Sequence, residues 1–298
     1  MHETNRNIAE MRAPAKINLW LHVGPREEDG FHPVCSLMDR VTIADTLQAR
    51  RVPNEGTRLT VYGMDNDAPQ ENLVMQAARA LEQEAGTRLD VDIDLTKKIP
   101  VAAGLGGGSS DAAAILKLLV FLFGLDIHET RLMEIAGVLG SDVPFFMTSG
   151  PQLAEGKGDV LMPVRFGFDY AVVIVNPGIR LSTADVYQLY DETAGASQET
   201  FANHVEWAHE EIGRLDSLDA LLNQMHNDLE SPARSLCPEI DGIEQGLRAS
   251  GAVGVFVSGS GPSVFGVYED LETASRAGEK LGKTYPLTWA ATPVPREA

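Results

Sequence analysis

The sequence predicts an α+β fold in two subdomains, on three observations. Leu89–Leu95 alternates strictly between apolar and acidic residues, the period of a half-buried strand, and leads into a run with four glycines, Gly104 and Gly106–Gly108, ahead of an apolar helix. Around Pro163–Asp169 this pattern breaks. From Tyr170 onward the chain reads as strand, helices, two strands joined by a turn, helix and strand, the β-α-β-β-α-β order of a ferredoxin-like unit. Its 298 residues suffice for two units of ordinary size, placed at 1–166 and 167–298.

In chain order, Ala13–Val23 reads as a strand with Ile17, Leu19, Leu21 and Val23 on one face and Lys16 near its start. Arg26–Pro33 is a turn by its Asp29-Gly30 and Pro33 signals, with Phe31 tucked into the core or, together with His32, presented to a ligand. Val41–Arg51 and Arg58–Tyr62 are strands flanking the turn Pro53–Gly56, and Glu71-Asn72-Leu73 opens an amphipathic helix that Gly86 stops. Ser109 and Ser110 stand where a serine caps the next helix, which runs through Leu119. Glu129–Leu139 is a helix ending at Gly140, and Asp142 is placed to cap the apolar segment after it.

Beyond the break, Tyr170–Val175 is a buried strand, Asn176-Pro177-Gly178 a turn, and Ser182-Thr183 the cap of a helix through Tyr190. Gly195–Gly213 reads as acidic surface helix and loop, followed by helical segments that end near Ser250. Strands Val253–Val257 and Ser263–Tyr268 flank the turn Ser258–Pro262, and helix Asp270–Leu281 with strand Leu287–Ala291 completes the second unit.

The glycine run has the chemistry of a phosphate cradle. Without side chains the backbone can approach a polyanion, positive φ values turn successive N–H groups inward, and a helix starting there adds about half a positive charge. A glycine-rich turn with an ordinary serine cap is the plain alternative. The loop is neither a P-loop, since no lysine lies between Gly104 and Ser110, nor a dinucleotide fingerprint, whose glycine spacing and downstream acid are missing.

Composition narrows the classes. The chain is 44% hydrophobic and 22% charged with a net charge of −19, which argues for a globular protein and against broad contact with nucleic acid or anionic membrane. The longest apolar run, Ile115–Leu125, is interrupted by Lys117 and too short to span a bilayer. Cys35 and Cys237 lack metal-type spacing, and the polar Met1–Asn7 has no apolar leader, so a cytoplasmic protein is expected.

The run Pro100-Val101-Ala102-Ala103-Gly104-Leu105-Gly106-Gly107-Gly108-Ser109-Ser110 resembles the phosphate-binding motif of the superfamily that includes galactokinase, homoserine kinase and mevalonate kinase, the GHMP kinases. The resemblance extends along the chain. Pro14-Ala15-Lys16-Ile17-Asn18-Leu19 is similar to the superfamily's first motif, Gly140-Ser141-Asp142-Val143-Pro144-Phe145-Phe146 to the element bearing its catalytic aspartate, and Ser258-Gly259-Ser260-Gly261 to its third motif. Asp29-Gly30-Phe31-His32 and Asn176–Ala184 resemble elements of a branch whose acceptor is a cytidine diphosphate ester. Gly150–Gly158 resembles that branch's short glycine loop but departs from it at Ser149, Pro151–Leu153 and Asp159.

The resemblance implies a two-subdomain GHMP-kinase-like fold with the active site in a cleft, and phosphoryl transfer from ATP with Mg²⁺. ATP phosphates would lie on Pro100–Ser110, with Ser110 a possible metal ligand. The acceptor would be the 2-hydroxyl of the methylerythritol unit of a small cytidine diphosphate ester, in isoprenoid precursor biosynthesis. Asp142 would take the hydroxyl proton, Lys16 would assist beside it, Phe31 would stack on the cytosine and His32 hydrogen-bond it. A GHMP-type kinase or decarboxylase with another acceptor, and a silent nucleotide-binding module, are the competing classes. Lys16 with Asp142 argues against the silent module, and Phe31 with His32 against acceptors lacking a base.

Overall fold

The computed structural model describes residues 7–63, 72–193 and 195–295. It divides into two compact units, each assembled from separate stretches: 1–15, 44–101 and 106–148 in the first, 16–43, 102–105 and 149–298 in the second. Residues 1–166 thus hold all of the first unit together with 16–43, 102–105 and 149–166 of the second. Two long strands, β1 (Ile8–Val23) and β2 (Val34–Arg51), contribute to both units.

In the first unit, β3 (Arg58–Gly63) runs parallel to β4 (Val91–Lys97), and β4 pairs antiparallel with the end of β2, Thr46 opposite Thr96 and Arg51 opposite Val91. The acidic alternation works as expected: Val91, Ile93 and Leu95 are buried while Asp92 and Asp94 are half-exposed. Helix α1 (Leu73–Ala85) begins where Asn72 accepts the Val74 N–H and ends at Gly86 in the left-handed region. Glu71 lies outside the described residues. Helix α2 (Gly107–Phe123) is apolar around most of its circumference because it packs between α1 and α4 (Val143–Met147), and α3 (Glu129–Leu139) packs on the same group. Each fully buried leucine of α2, such as Leu116 or Leu119, contributes about 1.5–3 kcal/mol by leaving water.

The second unit contains the hairpin β5 (Gln152–Glu155) and β6 (Val160–Pro163), β5 also pairing with the start of β2. The segment 150–158, expected as a glycine loop, is therefore a strand and a tight turn. Strand β7 (Ala171–Asn176) is followed by α5 (Thr183–Thr193), α6 (Gln198–Ile212), α7 (Leu218–Gln224), the two-residue β8 (His226–Asn227), α8 (Glu230–Leu236) and α9 (Glu239–Ala249). Then come β9 (Gly254–Val257), β10 (Val264–Tyr268), α10 (Leu271–Leu281) and β11 (Leu287–Ala291). The sheet order is β11-β7-β10-β9, antiparallel throughout, which is the ferredoxin-like arrangement. Its covered face packs Val173, Val175, Val255, Val257 and Val264 against Ile243 and Leu247 of α9 and Ala274 and Ala277 of α10.

From Ala15 onward β1 departs from its expected one-sided burial. Lys16, Asn18, Trp20 and His22 are buried as fully as Ile17, Leu19 and Leu21. The polar members survive burial by pairing: Lys16 Nζ donates to Asn18 Oδ1, Asn18 Nδ2 to Ser36 Oγ at 2.8 Å, and Ser36 Oγ to the Trp20 carbonyl at 2.7 Å.

Candidate active site

Residues 102–105 and the turn after β9 meet backbone to backbone in the second unit. Ser258 Oγ donates to the Gly104 carbonyl at 2.9 Å, and the Ser263 N–H to the Ala103 carbonyl at 3.3 Å. Gly104 sits at φ 74, and a Cβ there would lie 2.0 Å from the Ser258 carbonyl oxygen, so no other residue fits. Ala102 also takes a left-handed conformation (φ 51), a strain of order 1–3 kcal/mol of the kind concentrated at ligand-binding loops. The Lys16 N–H donates to the Leu105 carbonyl at 2.9 Å, and a Cβ on Gly259 would come within 3.2 Å of both Lys16 Nζ and Asn18 Oδ1. The expected contact of the third motif with the glycine loop is thus present, and it lies beside the Lys16 ammonium. Asn227 secures the turn from behind, its Nδ2 donating to the carbonyls of Val257 and Gly259 at 2.9 and 2.8 Å.

The other half of the loop, Gly106–Ser110, belongs to the first unit with Pro100 and Val101. Helix α2 starts earlier than the serine-cap reading placed it. Gly106 (φ 67) is the N-cap, Gly107 and Gly108 are its first helical residues, and no side chain caps it. Of the loop's four glycines, only Gly104 and Gly106 take positive φ. Because no side chain occupies the cap, the N–H groups of the first turn are left for a ligand, as anion binding at a helix start requires. Ser109 and Ser110 lie within that turn, and Ser110 Oγ is buried without a hydrogen-bond partner. A buried orphan hydroxyl in the first turn fits a metal or phosphate oxygen that arrives with the nucleotide.

Beneath this turn lies a buried ionic group that sequence reasoning did not single out. Lys97 Nζ donates to Asp45 Oδ2 and, at 2.6 Å, to Asp111 Oδ2, while Asp45 Oδ1 accepts the N–H groups of Lys98 and Ile99. It ties the end of β4 to Asp111, just past the first turn of α2, so the cradle is built on a fixed base. The two carboxylates hold the Lys97 ammonium above its usual range despite its burial, and burial pushes the Asp111 carboxyl up to about 8 against the pull of Lys97. The available signal was Asp111, the one acidic residue of a largely apolar helix: a buried carboxylate requires a cation.

Asp142 occupies the N-cap position of the five-residue α4, yet its side chain makes no capping hydrogen bond. Its backbone is αR (φ −82, ψ −13) instead of the extended form that aims a cap at its helix, and Pro144 at the second helical position has no N–H to offer. The expectation that the helix N–H groups hold this carboxylate is therefore corrected.

Phe31 and His32 separate in exposure. Phe31 is 55% exposed, which overturns the core reading, and its ring lies under Lys157 Nζ at 4.6 Å from the centroid. Lys157 also donates to Asp29, so the hairpin turn between β5 and β6 braces the Phe31 turn. His32 is 9% exposed and fixed by Nδ1 to the Gly24 carbonyl at 2.8 Å, with Nε2 3.4 Å from Asp191 and Tyr187 against its ring. One aromatic face is thus presented beside a positioned imidazole.

Residues 72–150 match the family described as GHMP kinases N terminal domain, and residues 206–287 match GHMP kinases C terminal. The glycine-lined helix start, the third motif packed on the glycine loop and the ferredoxin-like second unit agree with what the resemblance to that family implies. The chain is 41% identical to a 4-diphosphocytidyl-2-C-methyl-D-erythritol kinase of Syntrophotalea carbinolica over 90% of its own length and 92% of that protein, and 38% identical to one of Syntrophus aciditrophicus over 95% and 97%. A crystal structure of 4-(cytidine 5'-diphospho)-2C-methyl-D-erythritol kinase superposes with a TM-score of 0.77 at 36% identity, covering 95% of this chain and 98% of that one. A homoserine kinase from Cytophaga hutchinsonii shares the fold at TM-score 0.76 and 18% identity, covering 99% and 97%. With such relatives along nearly its whole length, the chain belongs to the 4-diphosphocytidyl-2-C-methyl-D-erythritol kinase family of the GHMP kinases. Among the described residues, no helix is long and apolar enough to cross a membrane.

Proposed function

We propose that this chain transfers the γ-phosphoryl group of ATP to the 2-hydroxyl of 4-diphosphocytidyl-2-C-methyl-D-erythritol, a step of isoprenoid precursor biosynthesis carried out in the cytoplasm. The observation that carries the reading is the run of relatives bearing that kinase's name at 38–41% identity over at least 90% of the chain. It does not favour a different acceptor or a silent nucleotide-binding module.

The residues divide the work as follows. Pro100–Ser110 receives the ATP phosphates, its backbone N–H groups and the start of α2 facing the negative charge. Mg²⁺ enters with ATP as part of that co-substrate and offsets phosphate charge, and the orphan Ser110 Oγ suits it as a ligand. Phe31 stacks on the cytosine and His32, its ring already held by Gly24 and Tyr187, hydrogen-bonds the base edge. Asp142 accepts the proton of the 2-hydroxyl as its oxygen bonds to the γ-phosphorus and the bond to the ADP oxygen breaks. Lys16, oriented by Asn18, supplies positive charge as the hydroxyl oxygen becomes an alkoxide.

Incubation of the protein with ATP, Mg²⁺ and one acceptor at a time, following ADP release and the phosphorus spectrum of the product, tests the assignment. The cytidine diphosphate ester gives stoichiometric ADP and a new phosphomonoester signal, whereas mevalonate and homoserine give neither. ADP release with either of those at a comparable rate, or none with the cytidine ester, overturns it.

A further inference from the structure

A second cluster of chemistry-bearing side chains lies in the second unit, apart from the residues given roles above. His22 comes from β1, Asp228 from the residue after β8, and His204 from α6. The parallel pairing of β1 with β8 sets Trp20 opposite His226 and Leu21 opposite Asn227, so His22 and Asp228 emerge at the next register position. His22 Nδ1 lies 3.8 Å from Asp228 Oδ2, and the ring centroid of His204 lies 4.1 Å from that of His22, the two planes tilted by 32°. One donor atom from each of the three falls within 4.8 Å of the others.

Hydrogen bonding does not account for this arrangement. His22 is 6% exposed, and neither of its ring nitrogens has a hydrogen-bond partner; His204 Nδ1 is buried and equally unpartnered. Buried polar atoms are ordinarily satisfied, and an imidazole with both nitrogens idle is the kind of exception that calls for an ion. Asp228 is already oriented for the task. Its Oδ2 accepts the Val23 N–H at 2.8 Å, and its Oδ1 is bonded to His226 Nε2 at 2.7 Å, the outer-sphere partner that liganding carboxylates usually have.

We propose that His22, His204 and Asp228 bind one divalent ion of the zinc class. Two imidazoles and one carboxylate form a borderline set that suits Zn²⁺ and its neighbours Co²⁺ and Ni²⁺ better than Mg²⁺ or Ca²⁺, which take oxygen ligands. Around a tetrahedral ion with bonds of about 2.0–2.1 Å, the donors stand about 3.3 Å apart. The cluster therefore closes by up to about 1.5 Å, chiefly through His204, which is half-buried on its helix, and water fills the fourth position. The ion would fasten α6 to β1 and β8, a structural role separate from phosphoryl transfer.

The test uses the tag-free full chain, stripped with chelator and titrated with Zn²⁺ by calorimetry and with Co²⁺ by visible absorption. Trp207, whose ring centroid is 5.4 Å from that of His22, gives a third signal through fluorescence quenching by Co²⁺. The expected result is one equivalent bound, the d–d spectrum of four-coordinate Co²⁺, and a rise in melting temperature with Zn²⁺. His204→Ala should abolish uptake without unfolding the protein, since the residue is only half-buried. His226→Ala should weaken it about 10- to 100-fold, and His209→Ala, on the same helix but paired with Glu155, should leave it unchanged. Absence of a stoichiometric site in the wild-type protein, or uptake that survives His204→Ala or is lost with His209→Ala, overturns the proposal.

Discussion

Gly104→Ala isolates the contact on which the glycine loop is built. Two costs arise. At φ 74 a side chain pays about 1–2 kcal/mol for the left-handed conformation. The new Cβ would also lie 2.0 Å from the Ser258 carbonyl oxygen and 3.0 Å from the Gly261 nitrogen, both backbone atoms that cannot rotate away. The turn they belong to is held by Ser258 Oγ, by Asn227 and by the Ser263 N–H, so relief requires displacing it, an overpacking cost of about 1–3 kcal/mol. Together these give about 2–5 kcal/mol, which at about 2 °C per kcal/mol for a chain of this size lowers Tm by roughly 4–10 °C. Gly178→Ala is the control. At φ 79 it carries the same backbone cost, but its nearest neighbour is Leu287 Cδ1 at an ordinary 3.9 Å. Thermal melts of the two variants, with and without an ATP analogue, separate strain from collision. Gly104→Ala should melt lower than Gly178→Ala and lose its ATP-induced stabilisation. Equal melting temperatures, or an undiminished ATP shift in Gly104→Ala, would refute the close approach of the two loops.

Other outcomes follow from the site. Phe31→Ala and His32→Ala should each weaken the cytidine substrate, the former by about five- to 150-fold from the loss of one stacking partner, while titration with an ATP analogue stays unchanged; parallel weakening of both ligands would make the turn a support for the fold. Asp111→Asn should flatten the pH profile of stability. Burial raises the folded pKa of this carboxyl to about 8, so the native state keeps a proton that the unfolded chain, near about 3.9, has released, and stability present below about pH 4 is lost as pH rises through about 8. Denaturant melts of wild type and variant across that window check the sign: the variant should gain on the wild type as pH rises, and a gap that narrows would contradict it.

Much of this architecture was legible because local signals and burial agree. The acidic alternation of Leu89–Leu95, the caps at Asn72 and Gly86, and the order of strands after Tyr170 each survive intact. The start of α2 departs from the serine-cap expectation for a physical reason: serine is the better cap, but a helix that must leave its first N–H groups for a ligand does better with glycine there, and Ser110 turns inward. The burial of both faces of β1 was hidden because Lys16, Asn18 and His22 look like the solvent side of an amphipathic strand. Nothing local shows that Ser36 will satisfy Asn18. The hairpin at Gln152–Pro163 escaped notice because its two strands are only four residues each. Partnerships between distant residues, such as Lys97 with Asp45 and Asp111 or His22 with His204 and Asp228, exist only once the chain has folded.

The central claim is that Asp142 is the base for phosphoryl transfer to the cytidine substrate, and single-turnover kinetics of Asp142→Asn test it most directly. The substitution keeps the shape of the side chain and removes the proton acceptor. A thermal melt of the variant beside the wild type separates any cost to the fold from the loss of the base. Both substrates should bind as in the wild type, while the rate of phosphoryl transfer falls by about 10²–10⁴-fold. A variant that binds both substrates and transfers phosphate within a fewfold of the wild-type rate would contradict the assignment.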